Sequence, residues 1–253
     1  MKILGIIPAR YASTRLEGKP LVDLLGKTMI QRVYEKASQA LEHVVVATDD
    51  ERIFKTVENF GGRAVMTSTH HSTGTNRCLE AYEKYSQEQG AFDVVINIQG
   101  DEPLLEPEQI KTLAACFADQ NAELATLVIP TKAGEKLKGA GVFVTFDKNN
   151  NALYFSRSVI PFLRDYPEDK WTEHHTFYRH LGMYGYRPEA LSRFAQLEQT
   201  SLEKAESLEQ NRWLENGYKI KVGITPYETI PVDTPEDVKK VKVLLQQAAE
   251  KPV

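Results

Sequence analysis

The chain has 253 residues, 42% hydrophobic and 26% charged, with a formal net charge of −4 at pH 7, which allows one large α/β domain or two small ones around a buried core. The negative balance excludes a chain built as a whole to neutralise a nucleic-acid backbone. Apolar runs such as 44–47 and 94–98 are far too short to span a bilayer.

The N-terminus enters a strand-like run at 3–8 with no cleavage signature. Residues 28–40 then read as a helix, with Met29, Ile30, Val33 and Ala37 on one face. A strand at 43–48 and a helix at 50–60 follow, then a short strand at 63–66, a helix at 74–85 and a strand at 92–99 buried on both faces. A helix at 106–119, with Pro107 in its first turn, closes the first half. This βαβα rhythm predicts a parallel, doubly wound sheet with right-handed crossovers.

After Ala122 the rhythm changes. Residues 124–130, 142–147 and 152–155 read as strands, the last two joined by the turn-like 148–151, and 180–186 as another strand. Helices are expected at 188–196 and 201–216, the second closed by Asn216-Gly217, and a strand at 218–224. Thr234, Pro235 and Asp237 open a last helix as cap, first position and capping-box partner. There is no internal repeat and no long linker, so a single domain with a mixed sheet and an inserted part is expected. Cys78 and Cys116 lack metal-ligand spacing and read as free thiols in helices of a cytoplasmic protein.

Four segments carry chemistry. Residues 8–20 follow the first strand, and ligands of open α/β sheets bind beyond the carboxyl ends of strands. Arg10, Arg15 and Lys19 stand there among small residues that let backbone N–H groups approach an anion. A triphosphate fits this pattern, and a solvated basic loop is the alternative. Walker and G-x-G-x-x-G patterns are absent. The second segment, Gln99-Gly100-Asp101-Glu102-Pro103, puts Asp101 at the tip of a buried strand. From there it can hold Mg²⁺, which takes only one or two protein carboxylates. Asp233 is the best second ligand, although Asp-Thr-Pro is equally good helix-start chemistry.

The third segment runs through His70, His71, Ser72, Thr73, Gly74, Thr75, Asn76 and Arg77, whose hydroxyls, backbone donors and guanidinium suit a base or a phosphate. Its two histidines lack a carboxylate or cysteine partner nearby, which argues against a metal there. In the fourth, Arg157 offers a fork for a carboxylate. His180 and Tyr184 fall on one face of a strand, and Glu209 can accept hydroxyl protons. The polar stretch 165–176 is a candidate mobile lid.

Together these segments resemble the 3-deoxy-manno-octulosonate cytidylyltransferases. The matching stretches are Ile-Pro-Ala-Arg-Tyr-Ala-Ser-Thr-Arg-Leu-x-Gly-Lys-Pro-Leu (7–21), Val-Ala-Thr-Asp (46–49), Gly-Thr-x-Arg (74–77) and Gln-Gly-Asp-Glu-Pro (99–103). They continue with Ala-Leu-Tyr-Phe-Ser-Arg (152–157), Arg-His-Leu-Gly-x-Tyr-Gly-Tyr-Arg (179–187), Leu-Glu-x-Ala-Glu-x-Leu-Glu-Gln (202–210) and Val-Asp-Thr-Pro-Glu-Asp (232–237). The first motif also fits relatives that activate sialic acids; the later ones favour the octulosonate branch.

The resemblance implies a three-layer, mostly parallel doubly wound sheet of the nucleotide-diphospho-sugar transferase type, with an inserted sugar-binding and dimerisation subregion. Within the one domain 1–253, residues 1–122 and 218–253 would be the nucleotide and metal core, and 123–217 the acceptor part. It implies transfer of CMP from CTP to an acidic 3-deoxy sugar for lipopolysaccharide synthesis, by a cytoplasmic homodimer without nucleic-acid or membrane partners. By that resemblance Pro8, Ala9, Arg10, Arg15, Lys19, Gly74, Thr75 and Arg77 bind the nucleotide, and Asp101 and Asp233 hold Mg²⁺. Arg10, Lys19, Asp101 and Asp233 would be catalytic, with Gln99, Arg157, His180, Tyr184 and Glu209 facing the sugar. The chain departs from the family pattern at Phe143, where lysine is usual, at Asn76, where an acid is usual, and at Asn211, where an apolar residue is usual.

Overall fold

The structure is a computed structural model that describes residues 1–12, 15–71 and 73–249. Ser13 and Thr14 of the basic loop, Ser72 of the third segment and residues 250–253 lie outside the described residues. The chain forms two compact units, Met1–Lys111 with Thr229–Val253, and Thr112–Glu228.

The first unit is built on β-branched runs that are buried on both faces. β1 (Ile3–Ala9), α1 (Met29–Ser38), β2 (His43–Thr48), α2 (Glu51–Asn59), β3 (Ala64–Met66), α3 (Gly74–Gln89) and β4 (Val94–Asn97) alternate, and α4 (Pro107–Ala115) leads out of the unit. The strand order is β3-β2-β1-β4, and every pairing is parallel. Gly5 of β1 pairs with Val44 on one side and Ile96 on the other. A Cβ at Gly5 would come within 2.8 Å of the Leu41 side chain, so the centre of the sheet accepts only glycine without a shift. The helices α1, α2 and α3 start on oxygen caps: Thr28, Asp50 and Thr73 accept the backbone N–H of Gln31, Arg52 and Asn76.

The second unit is mixed. It holds β5 (Leu124–Pro130), β6 (Phe143–Phe146), β7 (Ala152–Ser156), α5 (Trp171–His174), β8 (Tyr178–Tyr186), α6 (Pro188–Gln196), α7 (Ser201–Glu206), α8 (Gln210–Glu215) and β9 (Ile220–Ile224). β5 lies between antiparallel β8 and parallel β9. The β6–β7 hairpin joins β8 through Phe143 opposite Arg179. The chain then returns to the first unit as α9 (Pro235–Ala249).

Several elements differ from the sequence reading. The helix expected at 201–216 is two helices, because Ser207 adopts φ 52° and ψ 48°, left-handed backbone that L-residues take at a cost. Ser207→Gly is therefore expected to stabilise the fold by about 0.5–1 kcal/mol, read as a raised thermal midpoint. The stretch 165–176 holds a 3-10 turn (Glu168–Lys170) and α5. It is anchored by Trp171, which is buried, stacks on Phe177 and donates its indole N–H to the Tyr166 carbonyl.

Phe143 is a core residue with Leu137, Trp171 and Phe177, so its position has no room for a solvated cation. Asn211 is fully buried and donates from Nδ2 to the Phe155 carbonyl, so it carries a specific backbone contact where an apolar side chain would carry none.

Candidate active site

At the carboxyl ends of β1 and β4, within the first unit, lies a cleft of about 890 Å³. Pro8, Ala9, Arg10, Arg15 and Lys19 of the basic loop line it, with Gly74 and Arg77 of α3, and Gln99, Asp101 and Asp233. Because β1 and β4 pair in parallel, the segments that leave their ends emerge side by side. Gly18 takes left-handed backbone at φ 64°, donates its N–H to the Tyr11 carbonyl (3.1 Å) and starts a single 3-10 turn, Lys19–Leu21. That turn brings Lys19 to the tip of β4.

Lys19 Nζ lies 2.6 Å from Asp101 Oδ2 and 2.9 Å from Asp233 Oδ1, and Arg15 Nη1 lies 3.0 Å from Asp233 Oδ2. The two carboxylates that the sequence separates so widely thus meet around one ammonium group. The Val232 N–H donates to the Asp101 carbonyl (2.9 Å), and Val232 is buried with Leu24, Met29 and Val241. The two readings of Asp-Thr-Pro coexist. Helix-start chemistry belongs to Asp237, whose carboxylate accepts from the Asp233 and Thr234 N–H groups and the Thr234 hydroxyl. The Asp233 carboxylate is left facing the cleft. Arg10 is exposed and makes no ion pair among the described residues.

On the α3 side, Arg77 is buried. Its Nη1 donates to the Thr67 hydroxyl (2.6 Å) and its Nη2 to Asp49 (2.7 Å). Its guanidinium therefore braces the wall of the cleft. Thr75 is buried and is not among the lining residues. His71 and Thr73 line the cleft as well. His71 Nε2 hydrogen-bonds Glu80, which also accepts the Ser68 N–H and an ion pair from Lys84.

Burial opposes ionisation of Glu80, but Lys84, the Ser68 N–H and His71 overcome it and hold the carboxyl at about 2. A pKa lowered on folding gives stability that is present above the ordinary value of 4.5 and is lost as pH falls towards 2. The stability gap between the native chain and Glu80→Gln, read by urea unfolding, is expected to be widest near neutrality and to narrow below pH 4.5. Parallel curves down to the acid limit of folding would refute this. Glu102, next to Asp101, is buried. Burial and the Asp101 charge push its carboxyl up to about 7, against a hydrogen bond from Thr229.

The remaining candidates belong to the second unit. Arg157 donates from Nε to the Glu206 carbonyl (2.6 Å) and from Nη2 to the Ser207 carbonyl (3.2 Å). The Thr126 hydroxyl lies 2.8 Å from the Met183 carbonyl and 2.9 Å from His180 Nε2. Burial pushes the His180 pKa down to about 3 and that of Tyr184 up, the latter helped by the Glu209 charge.

Four residues of regular strand span roughly 13 Å, yet the His180 and Tyr184 rings are 5.4 Å apart. The register between β5 and β8 breaks between Thr126 and Leu127, which pair with Tyr184 and Leu181, and this bulge closes the distance. Tyr184 donates its hydroxyl to Gln210 Oε1 (3.0 Å), and Glu209 is the N-cap residue of α8.

Comparison with known proteins identifies the family. The cytidylyltransferase family pattern matches residues 4–220. The 3-deoxy-manno-octulosonate cytidylyltransferase of Parabacteroides distasonis is 54% identical over 250 residues, 97% of this chain and 98% of the relative. The enzyme of that name from Bacteroides thetaiotaomicron is also 54% identical over 250 residues, covering 97% and 99%. A solved CMP:2-keto-3-deoxy-manno-octonic acid synthetase in complex with CTP superposes with a TM-score of 0.89 at 40% identity, covering 98% of this chain and 100% of the other. A 4-diphosphocytidyl-2C-methyl-D-erythritol synthase from Anaerococcus prevotii shares the fold at a TM-score of 0.61 and 14% identity. The chain belongs to the cytidylyltransferase family, among the 3-deoxy-manno-octulosonate cytidylyltransferases.

Proposed function

We propose that this chain is an Mg²⁺-dependent cytidylyltransferase that transfers CMP from CTP to the 2-hydroxyl of 3-deoxy-manno-octulosonate, releasing pyrophosphate. The observation that carries this reading is the 54% identity, over 97% of the chain, to an enzyme named for that reaction. The cleft supplies the chemistry: a cationic loop beside two carboxylates at a strand tip.

The sugar hydroxyl attacks the α-phosphorus in line, and pyrophosphate departs. An anionic acceptor must approach a polyanionic triphosphate, and their repulsion in a poorly screened pocket amounts to several kcal/mol. Arg10, Arg15 and Lys19 offset it and stabilise charge on the α-phosphate and leaving group. Asp101 and Asp233 would hold Mg²⁺. Two oxygen donors with no nitrogen or sulfur form the set this ion prefers, with phosphate and water completing it. The ion when bound supplies Lewis-acid stabilisation of the phosphoryl oxygens.

Gly74, Arg77 and the Pro8–Ala9 backbone form the nucleotide side. We assign the first unit to nucleotide and metal binding and the second to the acceptor, with Gln99, Arg157, His180, Tyr184 and Glu209 recognising the sugar acid. The same reading makes the protein a cytoplasmic homodimer. No helix among the described residues is long and apolar enough to cross a membrane.

The test is pyrophosphate release from CTP and Mg²⁺ with 3-deoxy-manno-octulosonate, its 8-amino analogue and N-acetylneuraminate in parallel. Release with the octulosonate supports the reading. Release with only another acid moves the substrate, and silence with all three overturns it.

A further inference from the structure

We propose that Glu206 is a positioning residue that aims Arg157 at the carboxylate of the acceptor sugar. The proposal rests on the reading that Arg157 faces that carboxylate. Three donors at the end of β7 converge on the Glu206 side chain. The Ser156 hydroxyl (2.6 Å) and the Tyr154 hydroxyl (3.3 Å) donate to Oε1, and the Arg157 N–H (2.9 Å) to Oε2. Glu206 is the last residue of α7, and the left-handed Ser207 then turns the chain, exposing two helix-end carbonyls. Arg157 returns the contact by donating to both carbonyls. Its main chain and the Nε–Nη2 edge of its guanidinium are therefore both held by one clasp.

The rest of the guanidinium matters for recognition. With the Nε–Nη2 edge engaged, its plane is fixed and the Nη1–Nη2 end remains for a bidentate carboxylate. A free arginine side chain carries roughly 2 kcal/mol of rotamer entropy, and Arg157 is an exposed residue that would otherwise sample many rotamers. The clasp removes that freedom before the acceptor arrives. Only a carboxylate can accept at both oxygens. Glutamine at 206 keeps one acceptor and points a donor at the other partner, so the clasp opens on one side.

The test compares the acceptor acid with its methyl ester, at saturating CTP, for the native protein, Glu206→Gln and Arg157→Ala. Thermal midpoint and CTP affinity report the fold. For Glu206→Gln the expected result is a raised acceptor KM, an unchanged CTP KM and about a tenfold loss of the acid-over-ester preference. A merely structural tie between β7 and α7 would lower turnover on acid and ester alike. If Arg157→Ala erases the preference while Glu206→Gln keeps the native ratio, the proposal is overturned and the role of Arg157 stands. If Arg157→Ala also keeps the native ratio, the reading of Arg157 fails and the proposal with it. Should Glu206→Gln not fold, Ser156→Ala removes the 2.6 Å bond while leaving Arg157's own contacts; it is expected to move the ratio in the same direction, and a native ratio there overturns the proposal.

Discussion

Replacing Asp101 with asparagine is expected to lower turnover by about 10²–10³-fold while leaving the fold intact. The side chain keeps its volume, and its main chain stays tied through the Val232 N–H to the Asp101 carbonyl. On the proposed metal assignment, what would be lost is one of two anionic oxygen ligands, in a site where charge must be neutralised as the α-phosphate is attacked. Lys19 would retain Asp233 at 2.9 Å, so the cationic loop keeps its anchor and CTP binding without metal is expected to survive. Steady-state pyrophosphate release and circular dichroism check both halves. Near-normal turnover would sink the assignment of Asp101 to the metal.

The largest expected effect on stability lies within the second unit. Glu203 and Arg212 form a bidentate pair, Nε to Oε2 at 2.7 Å and Nη2 to Oε1 at 2.6 Å, with side chains 7% and 8% exposed. Glu203→Ala leaves the buried Arg212 charge with only the Leu197 carbonyl (3.0 Å) and the more distant Glu209 carboxylate (3.9 Å), at a cost of about 3–5 kcal/mol. It also removes the acceptor of the Thr200 N–H at the start of α7. For a chain of this size the melting temperature should fall by roughly 10 °C. Changing both residues together, Glu203→Leu with Arg212→Met, should recover much of the loss, because no buried charge is then stranded. Calorimetry on the native chain and the two variants decides it; a loss under about 1 kcal/mol would show that the pair is solvated.

The parts of the fold that were legible in the sequence are those that local chemistry specifies. The strands His43–Thr48 and Leu124–Pro130 and the helix Pro188–Gln196 are bounded by caps, prolines or β-branched runs whose preference is the same alone or in context. The break at Ser207 was not legible. Glu-Lys-Ala-Glu-Ser-Leu-Glu-Gln has continuous helix propensity, and the break is stabilised by Arg157, which lies 50 positions away. Likewise α5 sits in a polar stretch, and only the burial of Trp171 against Phe177 fixes it.

At the site, cations and an aspartate at strand ends can be read directly, since topology puts those ends together. Glu80 and Glu102 could not be found that way, because their shifted acidity comes from neighbours supplied by folding. The closeness of His180 and Tyr184 depends on a bulge that alternation cannot reveal.

The way the cleft is stitched together bears on how the protein is made. Lys19 and Asp233 stand 214 positions apart, and the segment carrying Asp233 is seated by Val232 against Leu24, Met29 and Val241. During synthesis the β1–β4 sheet, with its cationic loop, can form long before that segment leaves the ribosome. Closing so long a loop adds entropic cost and slows the last step of folding. On the proposed role of Asp233, a growing chain would therefore hold a nearly formed nucleotide cradle that lacks its second carboxylate, and chemistry would switch on only when the segment leading into α9 docks.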